Sequence, residues 1–291
     1  MAKTKNLETL VPDIYKKISV LSEGEAISIP DNLLKDFGND MTDALKEWAT
    51  PRSSDSNLNP TLRMSNLGRP NRQLWFDLNS EKTSGSIPES LYIKFLYGHL
   101  LEVLLLFFVR LSGHKVEAEQ KEVKVDGIVG HMDCVIDGEV VDVKTASGYA
   151  FKKFKNKTLP ENDTFGYLAQ LAAYEEAMGT SKGGFLALNK ETGEIALFIP
   201  EDLDKPNIKS RITEIKKIVK RKKPPEFCYD PVPEGLSGNL KLARECNYCS
   251  HKFKCHEKAN KGKGLRVFDY AKGPVYFTKI VKPPKVSEIL K

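Results

Sequence analysis

The sequence predicts an α/β fold, and two features of its residue pattern support this prediction. A long apolar segment of helical length, residues 91–111, is followed from Lys115 by runs rich in Val and Ile with strand periodicity. Helical and strand patterns then alternate along the chain, as is typical of a sheet flanked by helices. A chain of 291 residues can bury a substantial core, so we expect one large decorated domain.

The first 90 residues predict a helical region that wraps the rest of the fold. A helical pattern at residues 43–49 is followed by a break rich in Ser, Pro and Asn between Thr50 and Thr61, which predicts a loop. The first residues show no apolar segment followed by a small-residue cleavage site, so no secretory signal is expected. We therefore predict a cytoplasmic location.

The apolar segment predicts a helix from about Ser90 to Ser112. Gly113 is expected to end it, because glycine readily adopts the left-handed conformation that caps helices. A membrane-spanning helix needs about 18 or more uninterrupted apolar residues. This run contains Lys94, His99, Glu102 and Arg110, so we expect a helix buried in the protein and no membrane anchor.

Three strands should follow this helix, at about residues 115–125, 128–136 and 139–147. Asp-Gly pairs at Asp126-Gly127 and Asp137-Gly138 separate them, and Asp-Gly between strands is a strong signal for a tight hairpin. We expect an antiparallel meander. A helix ending at Gly179, two strands around Thr192-Gly193 and a helix over residues 205–222 should complete the core.

The second hairpin brings charged residues together. If Asp137-Gly138 is a two-residue turn, Asp133 lies opposite Asp142, and Lys144 shares the face of Asp142. Facing carboxylates cost up to about 1 kcal/mol, and more where water is excluded, so a cation such as Mg²⁺ should neutralise them. The alternative is a solvated sheet edge, which the apolar residues on both strand faces disfavour.

Three further residues are candidates for the same site. Glu102 stands in a helix that is apolar nearly all round, which indicates a third metal ligand; the alternative is a surface position on a thin polar stripe. Gln170 and Tyr174 are four residues apart and so share one helix face, where core packing alone would also explain Tyr174.

These motifs, GHLLE (98–102), GHMDCVIDGEVVDVKTAS (130–147) and QLAAY (170–174), resemble the PD-(D/E)XK nuclease superfamily and, within it, the RecB-like exonucleases, including phage-encoded ones. The resemblance implies a restriction-endonuclease-like core with a mixed central sheet. In one departure, His99 stands three residues before the glutamate instead of a full turn. The resemblance implies that Mg²⁺ or Mn²⁺ is bound by Glu102, Asp133, Asp142 and the backbone carbonyl of Val143. It further implies that Lys144 orients the attacking water, and that Gln170 and Tyr174 shape the site or contact DNA.

Four cysteines near the C-terminus predict a second metal site. They are spaced C-x17-C-x2-C-x5-C, a grouping that in a cytosolic chain indicates metal binding before disulfides. Four thiolates suit Zn²⁺ or an iron-sulfur cluster, and spacing does not choose between them. The chain resembles AddB-type and CRISPR-adaptation nucleases, which carry a [4Fe-4S] cluster beside this core, and the resemblance favours iron-sulfur over structural Zn²⁺. In those proteins the first cysteine precedes the nuclease motifs, whereas this chain has Asn71 at that place. The four cysteines are Cys228, Cys246, Cys249 and Cys255. The fifth, Cys134, is expected to be a small residue of the core.

The predicted function is hydrolysis of DNA, most simply by an exonuclease of phage or bacterial recombination or repair. A net charge of +6, with basic runs at residues 152–157 and 216–223, suits a DNA partner. A recombinase, helicase or annealing protein is a further expected partner. The alternatives are a nucleic-acid-binding module with an inactive centre and an endonuclease of the same superfamily. The expected segments are a helical wrapping region (1–90), the nuclease core (91–222), a cysteine region (223–260) and a basic tail (261–291).

Overall fold

A computed structural model describes the protein over residues 5–50, 61–80 and 88–289. The chain divides into two compact units, one comprising Met1–Gly68 with Glu81–Glu214, and the other Arg69–Ser80 with Ile215–Lys291. Most of the loop expected between Thr50 and Thr61 lies outside the described residues.

The described helices and strands follow the expected alternation. The helices are α1 Leu7–Ser19, α2 Asp31–Ala49, α3 Asn71–Asn79, α4 Glu89–Leu111, α5 Gly148–Lys155, α6 Tyr167–Met178, α7 Ile208–Val219, α8 Lys252–Cys255 and α9 Ala259–Gly262. The strands are β1 Val116–Glu117, β2 Lys121–Val125, β3 Ile128–Met132, β4 Cys134–Ile136, β5 Glu139–Ala146, β6 Gly184–Asn189, β7 Ile195–Phe198, β8 Val232–Pro233, β9 Leu240–Lys241, β10 Arg266–Tyr270 and β11 Gly273–Lys279.

A five-stranded mixed sheet forms the centre of the first unit, in the order β1-β4-β5-β6-β7. The β5–β6 pair is parallel and its neighbours are antiparallel. One face of the sheet, including Val141 and Val143, packs against apolar residues of α1 and α4. The other face carries α5 and α6, with Phe185 of β6 against Phe154 and Tyr167. The expected α/β class, a mixed central sheet flanked by helices, is confirmed.

The three strands after α4 pair in the expected antiparallel order, but they do not form one continuous sheet. Lys121 lies opposite Met132, whereas Glu117 lies opposite Val135, so the first strand has one residue more than its partner. This bulge assigns β2 and β3 to a separate two-stranded sheet. The expectation of an unbroken meander is therefore wrong at one point, and the break adjoins Asp133.

Helix α4 is buried only in its second half. Five residues from Leu105 to Leu111 are buried in the core. In the first half, Tyr92, Ile93, Phe95 and Tyr97 are exposed, so the expectation of a helix buried throughout is wrong there. Among the described residues, α4 is the one helix long and apolar enough to cross a membrane, by length and composition alone.

The second unit contains a four-stranded antiparallel sheet in the order β10-β11-β9-β8. Its core includes Leu242, Leu265, Val267 and Phe277. The segment expected as a basic tail contains the β10–β11 hairpin of this sheet.

Candidate active site

The hairpin between β4 and β5 has the expected register. Ile136 lies opposite Glu139, and Val135 opposite Val140. Both turn residues have positive φ, 51° at Asp137 and 91° at Gly138, which is the conformation that a tight two-residue hairpin turn requires. The turn therefore fixes where the charged residues of β5 fall.

Asp142 lies inside the sheet, with its side chain fully buried and its Oδ1 in an ion pair with Lys144 Nζ. Its Oδ2 is buried and has no hydrogen-bond partner among the residues that the structure describes. A buried carboxylate oxygen without a partner costs several kcal/mol relative to one in water. The position therefore calls for an additional cation or donor.

Asp133 stands beside Asp142 at the end of β3. Its Oδ2 accepts a hydrogen bond of 2.8 Å from the backbone N–H of Val143. Burial, followed by the neighbouring carboxylate of Asp142, raises the pKa of Asp133 well above its ordinary value. The two carboxyl groups thus lie close enough to act on one another, as the hairpin register predicts.

Lys144 is the positive charge of this cluster. Burial acts to lower its pKa, but the carboxylates of Asp142 and Asp133 outweigh burial and raise it. Its Nζ also lies 5.0 Å from the ring centroid of Tyr167, within the range of a cation–π contact. Lys144 therefore remains protonated and serves as a donor and a charge, and not as a base.

Glu102 reaches the cluster from α4. Burial raises its pKa to about 7; the charge of Lys144 opposes this rise and that of Asp142 adds to it. Its Oε1 accepts a hydrogen bond of 3.0 Å from Gln120 Nε2. Gln120, which sequence reasoning missed, lies in the bulge with φ 51°, and its backbone N–H donates to the Asp133 carbonyl at 3.0 Å.

Gln170 and Tyr174 of α6 support the strand that leads to Asp133. Tyr174 is 2% exposed, and its hydroxyl donates to the His131 carbonyl at 2.7 Å. Gln170 Nε2 donates to the same hydroxyl at 3.2 Å. Gly130 permits this packing, because a Cβ there would lie 2.8 Å from the Tyr174 ring. A side chain so deeply buried positions the backbone and is not exposed to a ligand.

Two more residues contribute to this region, Tyr167 and Asp163, and neither belongs to a sequence motif that would have identified it. The ring of Tyr167 contacts Lys144 Nζ, and burial raises the pKa of the Tyr167 hydroxyl. Asp163 accepts hydrogen bonds from three backbone N–H groups at the start of α6, at 2.8–2.9 Å. A carboxylate that caps a helix in this way fixes the turn before it.

The four C-terminal cysteines line one cavity of the second unit. Burial, followed by the charges of the other three thiols, raises the pKa of Cys246 to about 12. Burial also raises the pKa of Cys228 and of Cys249. Several thiolates at this place would thus need a cation to balance their charge, and four sulfur donors suit zinc or iron.

Residues of α3 adjoin the same cavity. Arg72 Nε donates to Cys255 Sγ at 3.1 Å, and its guanidinium lies 4.4 Å from the ring centroid of Phe227. His251 Nε2 lies 2.6 Å from a carboxylate oxygen of Asp77. The thiols therefore stand in a partly polar environment with a fixed positive charge.

The side chains of both clusters are paired with neighbouring residues of the protein. Over residues 5–50, 61–80 and 88–289, no three His, Cys, Asp or Glu side chains are positioned to hold a metal ion together. At the acidic cluster the ion pair between Lys144 and Asp142 and the hydrogen bond between Glu102 and Gln120 occupy carboxylate oxygens. Metal binding would therefore compete with these contacts.

Comparisons with known proteins give similar structures only. No family model and no curated protein matches the sequence. Similar solved structures include SSO0001 (19% identity, 72% of this chain and 91% of that chain, TM-score 0.43), a phage-related exonuclease from Haemophilus somnus 129PT (12%, 57% and 96%, TM-score 0.38) and an alkaline exonuclease from Laribacter hongkongensis (14%, 53% and 85%, TM-score 0.32). The last has also been solved in complex with dAMP.

Proposed function

We propose that the protein is a deoxyribonuclease that requires Mg²⁺ or Mn²⁺. The observation that carries the proposal is the buried Asp142 carboxylate, with one oxygen on Lys144 and the other without a partner in the described part of the chain. Two further acidic groups, Asp133 and Glu102, lie close enough for their pKa values to respond to it. Carboxylate oxygens are the ligands that Mg²⁺ and Mn²⁺ prefer.

The carboxylates of Glu102, Asp133 and Asp142 would hold the cation, with the backbone carbonyl of Val143 as a further ligand. When bound, Mg²⁺ or Mn²⁺ supplies Lewis-acid stabilisation of the negative charge that develops on the phosphoryl oxygens. Burial, followed by repulsion from Asp142, raises the pKa values of Glu102 and Asp133, and a bound cation would favour their ionised forms.

Lys144 would act directly on the reacting groups. Because its carboxylate neighbours keep it protonated, its Nζ can donate hydrogen bonds to the attacking water or to a phosphoryl oxygen. Contacts with the Tyr167 ring and with Asp142 hold the ammonium group in place. Tyr174, through the His131 carbonyl, would keep the strand before Asp133 in position.

An exonuclease of phage or bacterial recombination or repair, acting in the cytoplasm, is the form of this activity that we favour. The Lys-rich run of α5 and the segment after it, residues 152–157, would contact phosphates of the bound DNA. An endonuclease would use the same residues, and a covalently closed DNA circle separates the two, because only an endonuclease cuts it. A recombinase, helicase or annealing protein remains a proposed partner.

For the cysteine cavity we propose a bound metal centre, with a [4Fe-4S] cluster favoured and structural Zn²⁺ as the alternative. Two features support this proposal: all four thiols line one cavity, and Arg72 donates a hydrogen bond to Cys255 Sγ, which favours a thiolate there. The thiol side chains would turn toward the bound metal. Metal analysis and the visible absorption spectrum of anaerobically purified protein distinguish iron-sulfur from zinc. Cys246→Ser should lose the metal, whereas Cys134→Ala, which alters a buried thiol of the first unit, should keep it.

The nuclease proposal is tested by cleavage of end-labelled linear DNA with Mg²⁺, with Mn²⁺ and with EDTA. Asp142→Asn and Lys144→Met should each lose at least about 100-fold in rate. Asp36→Asn and Lys35→Met, which change exposed residues of α2 in the same chemical way, should keep the wild-type rate. If all five proteins cleave at one rate, the proposal is wrong. If the wild type binds DNA but no divalent ion supports cleavage, the protein is a binding module.

A further inference from the structure

Phe165 is an exposed aromatic residue whose ring contacts Tyr167, a neighbour of Lys144 in the candidate active site. It lies in the turn before α6 and is 63% exposed. Its ring is nearly parallel to that of Tyr167, with centroids 5.5 Å apart and an interplanar angle of 24°. The Tyr167 ring in turn lies 5.0 Å from Lys144 Nζ. The exposed ring is therefore linked by direct contacts to the group that would face the scissile phosphate.

A single exposed apolar side chain is common on protein surfaces and carries no function by itself. Phe165 differs because its support is part of the core. Tyr167 contacts Phe154 and Phe185, with ring centroids 6.2 Å away in each case. Both of these rings are buried. The stack thus runs from the core of the sheet to the surface and ends at Phe165.

The backbone of this turn is also fixed. The Asp163 carboxylate accepts hydrogen bonds from the N–H groups of Gly166, Tyr167 and Leu168. Gly166 has φ 78° and lies against Gly68, where a Cβ on either glycine would come within 2.4 Å of the other backbone. The fixed backbone and the contact with the Tyr167 ring lower the entropic cost of ordering the Phe165 ring on binding.

A lysine of α5 contacts the turn that precedes Phe165. Lys153 of α5 donates from Nζ to the Asn162 carbonyl at 2.7 Å, which joins α5 to the turn. Lys152, the residue before Lys153 on α5, is exposed. Proteins that bind single-stranded nucleic acids combine exposed aromatic rings, which stack on bases, with a basic surface that contacts the backbone. Phe165 and the lysines of α5 provide both kinds of group in this part of the first unit.

We propose that Phe165 is a stacking platform for an unpaired nucleobase beside the scissile phosphate, which makes single-stranded or frayed DNA the preferred substrate. A base inside a duplex is stacked on both faces and cannot offer one to the protein, whereas an unpaired base can. This inference rests on the proposed nuclease function. It adds a specificity-determining residue that the catalytic motifs do not include.

The test compares Phe165→Leu, which keeps apolar bulk but loses the flat ring, with Phe165→Trp, which keeps a stacking surface. Tyr92→Leu is the matched control, since it removes an exposed aromatic ring of the same unit, ten residues before Glu102 on α4. Binding of a fluorescent single-stranded oligonucleotide is measured in EDTA, and cleavage is measured with Mg²⁺. A series of oligonucleotides, each with one abasic residue at a different position, locates the stacked base.

Phe165→Leu should weaken binding of the intact oligonucleotide about tenfold, the usual size of one base–aromatic contact. Phe165→Trp and Tyr92→Leu should bind as the wild type does. At one position of the oligonucleotide, an abasic residue should weaken binding by the wild type about as much, and should weaken binding by Phe165→Leu no further. Wild type and Phe165→Leu should bind blunt duplex DNA equally.

Equal binding and cleavage by wild type and Phe165→Leu, or equal abasic penalties in both, would overturn the inference. If the wild type cleaves no DNA under any condition, the nuclease proposal fails. The binding comparison in EDTA then still decides whether Phe165 stacks on a base.

Discussion

Replacing Glu102 with glutamine should stabilise the first unit above pH 7 and have no effect near pH 4 in metal-free protein. Burial raises the pKa of Glu102 from 4.5 to about 7. Between these values the folded state binds more protons than the unfolded state, so stability falls as pH rises through this window. Below it both states are protonated, and above it both are ionised and the folded state carries the full penalty.

The size of the effect follows from the pKa difference. A rise from 4.5 to about 7 corresponds to roughly 3 kcal/mol of unfolding free energy. Because the Glu102 side chain is only partly buried, water screens part of this penalty, and we expect a gain of about 2 kcal/mol at pH 8. Glutamine keeps the shape and the contact to Gln120 but carries no charge.

The protein's two tryptophans allow the first unit to be observed separately. Trp48 lies on α2 in the first unit and Trp75 on α3 in the second. A Trp75→Phe background therefore leaves Trp48 fluorescence as the reporter of urea unfolding, measured at pH 4, 6 and 8 in EDTA. Glu47→Gln, an exposed change on the helix that carries Trp48, is the control and should shift stability by less than about 0.5 kcal/mol at any pH.

If Glu102→Gln gains no stability between pH 4 and pH 8 relative to its parent, burial does not penalise the Glu102 charge. A gain of equal size at both pH values would also contradict such a penalty, because glutamine would then act through packing and not through charge.

Three other changes test separate parts of the structure. Lys144→Met leaves the buried Asp142 carboxylate uncompensated and should lower the unfolding free energy at pH 8 by about 3–5 kcal/mol in urea titrations; a change below about 1 kcal/mol would contradict the buried ion pair. Gly130→Ala introduces a Cβ within 2.8 Å of neighbouring side chains and should cost about 1–3 kcal/mol, whereas an unchanged midpoint would contradict this packing. Cys246→Ser should lose metal by elemental analysis, and retention of the full metal content would remove the cysteine site.

The local geometry of the acidic cluster could be predicted because it depends on short-range rules. The Asp137-Gly138 turn sets the register of β4 and β5, and the alternation of side chains along a strand then places Asp142 and Lys144 on one face. The end of α4 was predictable for a similar reason, since Gly113 adopts the left-handed conformation, with φ 84°.

Features that depend on distant contacts could not be predicted. The bulge requires Ala118 and Gln120 to adopt positive φ, which neither residue type favours, so no local signal marks the point where the meander divides. The contact of Gln120 with Glu102 follows from that bulge. Likewise, Tyr167 reads in sequence as one more apolar position of α6, and only the packing of α6 on the sheet brings it below Lys144.

Mn²⁺ binding to metal-free protein decides whether the acidic cluster is a cation site, and electron paramagnetic resonance can follow it during titration. Mn²⁺ prefers oxygen ligands, so the cysteine cavity should not compete for it. We predict saturable binding by the wild type and by Asp36→Asn, and at least about tenfold weaker binding by Asp142→Asn. Equal Mn²⁺ affinity in all three proteins would show that the buried carboxylate does not bind the ion.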